Sequence, residues 1–333
     1  MKIAIDAMGG DYAPEEVVKG AILACRELDA SVILVGDENL ISAILDKQSI
    51  SGLKLEICHT TEVIGMDEHP AVAVKKKKDS SLVVANRLVK EGKASAVISA
   101  GNTGAAMSAS LLTLGRIKGI NRPAIASPMP TAAGVSVLLD AGANADCDPE
   151  NLVQFALMGS IYAEKVFGIR NPRVGLLSIG EEETKGNKLT VAAHQLLKNS
   201  GLNFIGNIEG RHVHNGECDV IVCDGFVGNI VLKLSEGLAG ALIGQIKTAF
   251  TQNPLALAGA FLAKNAFTSI KRKMDYAEYG GAPLLGLNGI SMISHGRSNA
   301  KAIKNAIKAA IKAVNEDIVT TIASAQTSPE AAD

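Results

Sequence analysis

Four short stretches of this sequence set glycines beside side chains able to hold anions or move protons. They are Asp6-Ala-Met-Gly9-Gly10-Asp11, Ser99-Ala-Gly101-Asn102-Thr103-Gly104, Gly180-Glu-Glu182-Glu-Thr184-Lys185-Gly186-Asn187 and Asp224-Gly225-Phe-Val-Gly228-Asn229. Each leaves a short apolar run and enters a helical pattern. Glycine lets backbone approach a ligand closely, and Ser, Thr and Asn can cap a helix or donate to a ligand. Unpaired N–H groups at a helix start attract anions, and in an open α/β sheet they gather where strands end. Helix capping alone explains any single turn. Four in one chain point to a pocket for an anion and a polar substrate. None completes a dinucleotide fingerprint, because Gly9-Gly10 lacks a third glycine in register, and nothing matches a P-loop.

Other chemistry-bearing groups are sparser. Lys75, Lys76, Lys77 and Lys78 form the densest charge run, readable as a solvated helix end or as a landing site for phosphate or an acidic partner. His212 and His214 have no carboxylate cluster nearby and make a poor metal site, which leaves surface or packing roles. There is no Gly-x-Ser-x-Gly elbow and no cysteine with an evident partner, so no covalent nucleophile is advertised. The five cysteines, at 25, 58, 147, 218 and 223, lack zinc or disulfide spacing and read as small buried hydrophobes in a reducing compartment.

The elements that must carry these turns alternate along the chain. Apolar, β-branched runs at 3–5, 31–35, 53–57, 95–98, 135–139, 174–178, 204–205 and 220–222 read as strands. Helical patterns at 15–28, 81–91, 103–114, 150–167 and 187–199 lie between them. Strands apolar on both faces, alternating with helices, predict a mostly parallel, Rossmann-like sheet in a three-layer αβα fold. After residue 225 helices dominate, at 227–250 and 255–274, with a helical protrusion near 248–275. A glycine-rich loop, a last strand at 289–293 and one long helix from 298 to about 323 follow. Lys301, Lys304, Lys308 and Lys312 share the wet face of that helix. The expected organisation is a single domain over 1–323 with a disordered tail over 324–333.

Composition narrows the function classes. In 333 residues, 33 Lys and Arg oppose 34 Asp and Glu, for a formal charge of -1, so a general attraction to nucleic acid is not expected. Aromatics are 3% with no Trp, which disfavours base-stacking platforms. The opening strand argues against a secretory signal, and no stretch reaches ~18 uninterrupted apolar residues. The uncharged run 123–139 contains three prolines. The expected location is cytoplasmic, with peripheral contact on the inner face of the membrane left open.

Taken together the motifs resemble the acyl-carrier-protein:phosphate acyltransferases of bacterial phospholipid synthesis. The resemblance rests on Asp6 to Pro14, Lys77-Lys78-Asp79-Ser80-Ser81, Ser99 to Ala105, and Leu139-Asp140-Ala-Gly142-Ala-Asn144. It also rests on Gly180 to Asn187, Asp224 to Asn229, Tyr279 to Gly286, and His295-Gly296-Arg297-Ser298-Asn299. It covers residues 1 to about 315 in the family's order. Four consecutive lysines at 75–78, Arg297 and the His-rich 211–214 segment depart from it. The resemblance implies transfer of a fatty acyl group from acyl carrier protein to inorganic phosphate, a fold like phosphate acetyltransferases and isocitrate-type dehydrogenases, a homodimer, and no metal or nucleotide cofactor. It further implies that a membrane glycerol-3-phosphate acyltransferase takes up the acyl phosphate.

Elementary chemistry tolerates that reaction. A thiol of pKa ~8.5 leaves readily as thiolate, and ionised phosphate is its own nucleophile. One cation at ~4 Å contributes roughly 4 kcal/mol at an effective dielectric near 20, before desolvation. Cations and backbone N–H groups are therefore the apparatus to look for. The expectation puts phosphate among the turns 101–104 and 225–229, with Lys185 neutralising the nucleophile or oxyanion. Asn102, Thr103 and Asn229 donate hydrogen bonds, Asp6 and Asp11 orient donors, and His295 protonates the leaving thiolate or serves structure. Ser99, Gly9, Gly10, Asp140, Asn144, Glu182, Thr184, Asn187, Asp224, Gly225 and Gly228 complete the expected substrate site.

The segment from Leu255 through Leu257, Phe261 and Leu262 to Lys271 and Arg272 is apolar first and basic last. It reads either as a core or dimer helix or as an interfacial membrane helix, and with Lys76, Lys77 and Lys78 it supplies the carrier-protein or membrane contacts. Competing readings are an acyl-CoA-dependent phosphate acyltransferase, a nicotinamide-dependent dehydrogenase, and a non-catalytic scaffold that binds acyl carrier protein.

Overall fold

The computed structural model describes residues 1–265, 267–268 and 278–327. The first half begins with β1 (Lys2–Asp6), α1 (Glu15–Leu28), β2 (Ser31–Gly36), α2 (Glu38–Leu45) and β3 (Leu55–His59). Next come α3 (Pro70–Lys76), α4 (Ser81–Lys90), β4 (Ala96–Ser99), α5 (Thr103–Leu114), β5 (Ala124–Ile125), β6 (Ser127–Thr131) and β7 (Gly134–Leu139). The second half holds α6 (Pro149–Phe167), β8 (Val174–Leu177), α7 (Lys188–Lys198), β9 (Phe204–Ile208), β10 (Val220–Val222), α8 (Gly225–Thr251) and α9 (Pro254–Leu262). It closes with β11 (Ala282–Leu285), β12 (Ile290–Ile293), α10 (Ala300–Asn315) and α11 (Ile318–Thr327).

The strands form two sheets rather than one. The order in the first is β3-β2-β1-β4-β12-β11-β5, and in the second β6-β7-β10-β8-β9. β3, β2, β1, β4 and β12 run parallel, as do β7, β10, β8 and β9, while β11, β5 and β6 pair antiparallel at the seam. The expected αβα architecture holds because the parallel strands are covered on both faces. The strands β4, β8 and β10 are buried throughout. One buried cluster runs from Ile3, Ile98 and Ile303 through Phe155 and Met158 to Val137, Val174 and Val222, so the two sheets share a core. The helix α6 lies at that junction, packing against β7, β10, α10 and α11.

Three strands are additions to the sequence expectation. β6 carries Pro128 and Pro130 and sits at a sheet edge, where a missing N–H donor is tolerated. β5 is two residues long, and β11 contains Pro283. The closing helix is also two helices. Asp317 adopts φ 50 between α10 and α11, and α11 continues to Thr327, into the segment expected as tail. Residues 328–333 lie outside the described residues.

Among the described residues α8 and α9 are the least covered elements. Phe226, Ile230, Leu234, Leu238, Leu242 and Ile246 recur every fourth residue along α8, and all are exposed. By length and composition α8 is apolar enough to cross a membrane, but Lys233 and Glu236 interrupt it and its first turns line the cleft described next. On α9, Leu255 is 87% and Leu262 86% exposed.

Candidate active site

Both sets of parallel strands end at a cleft of about 1560 Å³. From the first sheet it is lined by Asp11, Gly101, Thr103, Gly104, His295 and Arg297, and from the second by Gly142 and Asn229. The turns after β1, β4 and β12 nest against one another. A Cβ on Gly9 would overlap the Asp6 carboxylate and come within 2.9 Å of Gly101 N. Gly10 at φ +118 faces the carbonyls of Ala100 and Gly296, each 3.2 Å from where a Cβ would stand. Asp11 N donates to Gly296 O at 2.7 Å and Ser294 N to Ser99 O at 2.8 Å.

Asp6 ties this nest from below. It is buried, and it accepts from Ser81 Oγ at 2.6 Å and Ser99 Oγ at 2.7 Å. Ser99 Oγ in turn accepts from Gly101 N at 3.1 Å. Burial raises the Asp6 pKa, and the hydroxyl donors pull it back in part. Asp6 and Ser99 therefore hold the turns, while Asp11 reaches the cleft, its carboxylate 4.0 Å from Arg297 Nε.

Several expected ligand contacts are engaged elsewhere. Asn102 caps α5 by accepting from Ala105 N at 3.0 Å, and its amide donates to Met66 O at 2.8 Å and Glu68 O at 3.3 Å. Thr103 and Gly104 follow it, and no bond is formed to their N–H groups among the described residues. Asp140 is wholly buried. Its Oδ1 accepts from Ile125 N, Gly142 N and Ala143 N, and its Oδ2 from Asn144 N at 2.7 Å and Asn144 Nδ2 at 2.8 Å. Burial raises its pKa against those donors. Asp140 and Asn144 thus frame the β7–α6 turn, their polar groups engaged within it. Gly225 and Gly228 are needed because that frame packs on them: a Cβ on Gly225 would stand 2.7 Å from Asn144 N, and one on Gly228 would collide with Asp140 O. Asp224 is buried and caps α8 through Val227 N at 2.9 Å.

Asn229, five residues into α8, has no capping duty. Its side chain packs beside Gly142 on the cleft wall, and no hydrogen bond to its amide is formed among the described residues. His295 is half-exposed on the opposite wall, with Nε2 3.5 Å from Glu236 Oε2 of α8. Donation to the Glu236 carboxylate raises its pKa, and partial burial opposes the shift.

Lys185, Glu182, Thr184 and Asn187 do not line the cleft. Their turn leaves β8 at the same sheet edge as the Asn229 turn, and Lys185 is exposed there, its side chain folded over Gly180. Asn187 caps α7 through Thr190 N at 2.9 Å. Asn207 Nδ2 donates to Glu182 O at 2.9 Å, and its Oδ1 accepts from Nδ1 of buried His194 at 2.9 Å, fixing the turn from behind. In the lysine run, Lys77 is spoken for by Glu68 Oε1 at 2.5 Å and Val63 O at 2.7 Å, while Lys76 and Lys78 are exposed. Leu257, Phe261 and Leu262 are exposed on α9, and Lys271 and Arg272 lie outside the described residues.

Sequence reasoning missed Glu236 and gave His214 only a surface or packing role. Both line the cleft. His214 Nδ1 bonds Pro130 O and Nε2 bonds Ser235 Oγ, each at 2.9 Å. No local pattern marks them, since Glu236 meets His295, and His214 meets Pro130 and Ser235, only across elements distant in sequence. The cysteines are free thiols, and burial pushes Cys147 up to about 11 and Cys223 well above the ordinary range. Neither is a thiolate nucleophile near neutral pH.

Residues 1–321 match the family model described as fatty acid synthesis protein. The chain belongs to that family. It is 58% identical over 330 residues to the phosphate acyltransferase of Pelotomaculum thermopropionicum, covering 99% of this chain and 96% of the relative. It is 58% identical over 323 residues to the phosphate acyltransferase of Desulfitobacterium hafniense strain DCB-2, covering 97% and 96%. A phosphotransacetylase from Streptococcus pyogenes shares the fold at a TM-score of 0.64 and 19% identity, over 94% of each chain. The family resemblance drawn from the motifs is thereby borne out.

Proposed function

We propose that this protein is an acyltransferase that moves a fatty acyl group from the thioester of acyl carrier protein to inorganic phosphate. Family membership and the name of the relatives support acyl transfer to phosphate in lipid synthesis. The observation that carries the reading is the convergence, in one cleft, of the open N–H groups at the start of α5, the uncommitted Asn229 amide and the His295–Arg297 turn. A dianion between these walls meets backbone dipoles, an amide donor, the Arg297 guanidinium and the His295 imidazole.

A phosphate oxygen attacks the thioester carbonyl, the C–S bond breaks, and His295 or water protonates the departing thiolate. Asn229 and the α5 N–H groups hold the phosphate or the developing oxyanion. The reaction needs no enzyme nucleophile, because phosphate supplies one and holding it in place removes much of the entropic barrier. Lys185 belongs to this proposal as a further cation contributed from the neighbouring turn. Normal turnover of a folded Lys185→Ala variant would remove it.

The exposed apolar residues of α8 outside the cleft, Phe226, Ile230 and Ile246, support pairing of two copies. Those of α9 support contact with a lipid surface, where a membrane glycerol-3-phosphate acyltransferase would take up the product. The test of the reaction is incubation with acyl-carrier-protein thioester or acyl-CoA, with and without phosphate. Phosphate-dependent acyl phosphate from the carrier-protein donor supports the reading. Equal turnover of acyl-CoA would reassign the donor, and carrier-protein binding without thioester loss would favour a scaffold.

A further inference from the structure

Beyond its polar end the cleft continues as an apolar arm between α5 and α8. Met107 and Leu111 form one wall, Val231, Leu238 and Leu242 the other, and Met129 of β6 lines it as well. The arm and the polar end belong to one continuous cleft, so a ligand held at Asn229 and Thr103 has this apolar corridor beside it. We infer that the acyl chain lies extended in this arm and that Leu111 and Leu242, which line it on α5 and α8, set the chain length the enzyme accepts. The inference rests on the acyl-transfer reading and names where its substrate's tail goes.

The helices supply the measure. From Gly104 to Leu111 is seven residues, about 11 Å at 1.5 Å per residue, and from Asn229 to Leu242 is thirteen, about 20 Å. One long acyl chain fills half of the ~30 Å hydrocarbon core of a bilayer, or about 15 Å. That length falls between the two positions, so a long chain runs past Leu111 toward Leu242, while a short one stops before Leu111. Leu242 is half-exposed and Leu111 is 38% exposed, so both can change size without opening the core. Each methylene buried in the arm favours binding about fourfold.

The experiment compares C8 and C16 acyl-carrier-protein thioesters in wild type, Leu111→Trp and Leu242→Trp, with urea unfolding to verify the fold. The wild type should favour C16, and each Trp variant should lower the C16-to-C8 ratio of kcat/KM at least tenfold. Calorimetry with C8 and C16 alkylphosphonates, which need no turnover, should show the same loss of length preference. An unchanged ratio in both folded variants overturns the inference and leaves acyl transfer standing. Length-dependent alkylphosphonate binding that the Trp variants abolish, without transfer by any variant, upholds the arm and sinks the acyl-transfer reading instead.

Discussion

Gly9→Ala probes how tightly the turns below the cleft are nested. The added methyl would overlap Asp6 Oδ2 and stand 2.9 Å from Gly101 N, and one of them must yield. If Asp6 moves, it leaves Ser81 Oγ at 2.6 Å, Ser99 Oγ at 2.7 Å, or both. Hydrogen bonds to a charged group contribute about 1.5–3 kcal/mol each, so stability falls by roughly 2–5 kcal/mol. If the β4–α5 turn retreats instead, it must shift by about 0.5 Å to turn 2.9 Å into an ordinary contact of 3.4 Å. That overpacking costs roughly 1–3 kcal/mol and carries the Thr103 and Gly104 N–H groups away from the phosphate. Urea unfolding and the phosphate KM, measured on one preparation, separate the two routes. The first lowers the midpoint with little change in KM, and the second raises KM severalfold with a smaller loss of stability. Gly244→Ala is the control. It lies within α8 with nothing inside 4 Å of its Cβ position, so alanine should leave stability equal or raise it by about 0.5–1 kcal/mol. A Gly9→Ala variant with wild-type midpoint and wild-type phosphate KM would refute the nested-turn argument.

Other perturbations address single groups. Asn229→Ala should lower kcat/KM by roughly 10- to 100-fold with an unchanged unfolding midpoint, the loss of one hydrogen bond to a charged ligand; wild-type kinetics would place the amide outside the reaction. Asp140→Asn should destabilise by about 3–5 kcal/mol, because an amide NH2 would face N–H groups that now point at Oδ1 or Oδ2. A midpoint shift under ~1 kcal/mol in thermal unfolding would contradict that role. Glu236→Gln should move the basic limb of the pH–rate profile to lower pH. The carboxylate raises the His295 pKa, so the cationic form is lost as pH rises through that value, and earlier once the carboxylate is gone. An unmoved limb would show that His295 ionisation does not govern the rate.

The parallel strands were legible because burial on both faces leaves unbroken apolar runs such as Val220–Val222 and Val174–Leu177. The antiparallel seam was not, since Pro128, Pro130 and Pro283 are residues that local patterning excludes from strands. The break at Asp317 was hidden for a related reason: a single left-handed residue inside a run of helix formers leaves no periodic trace. The site was readable as a set of turns but not in its orientation. Asn102 and Asn229 both follow glycine-bearing strand ends, yet Asn102 stands at the cap of α5 and is consumed there. Asp224 caps α8 and so leaves Asn229 free. Asp140 and Asn144 have the composition of a ligand turn, but both point inward. That distinction depends on the β7–α6 turn folding over Gly225 and Gly228, which no spacing encodes.

The claim that phosphate itself displaces the thioester is tested most directly by a single turnover, with enzyme in excess over acyl-carrier-protein thioester and phosphate withheld. The account expects no thiol release and no mass added to the protein until phosphate is supplied, then one thiol and one acyl phosphate per donor. Thiol released beforehand, with an acyl group left on the enzyme, would contradict it.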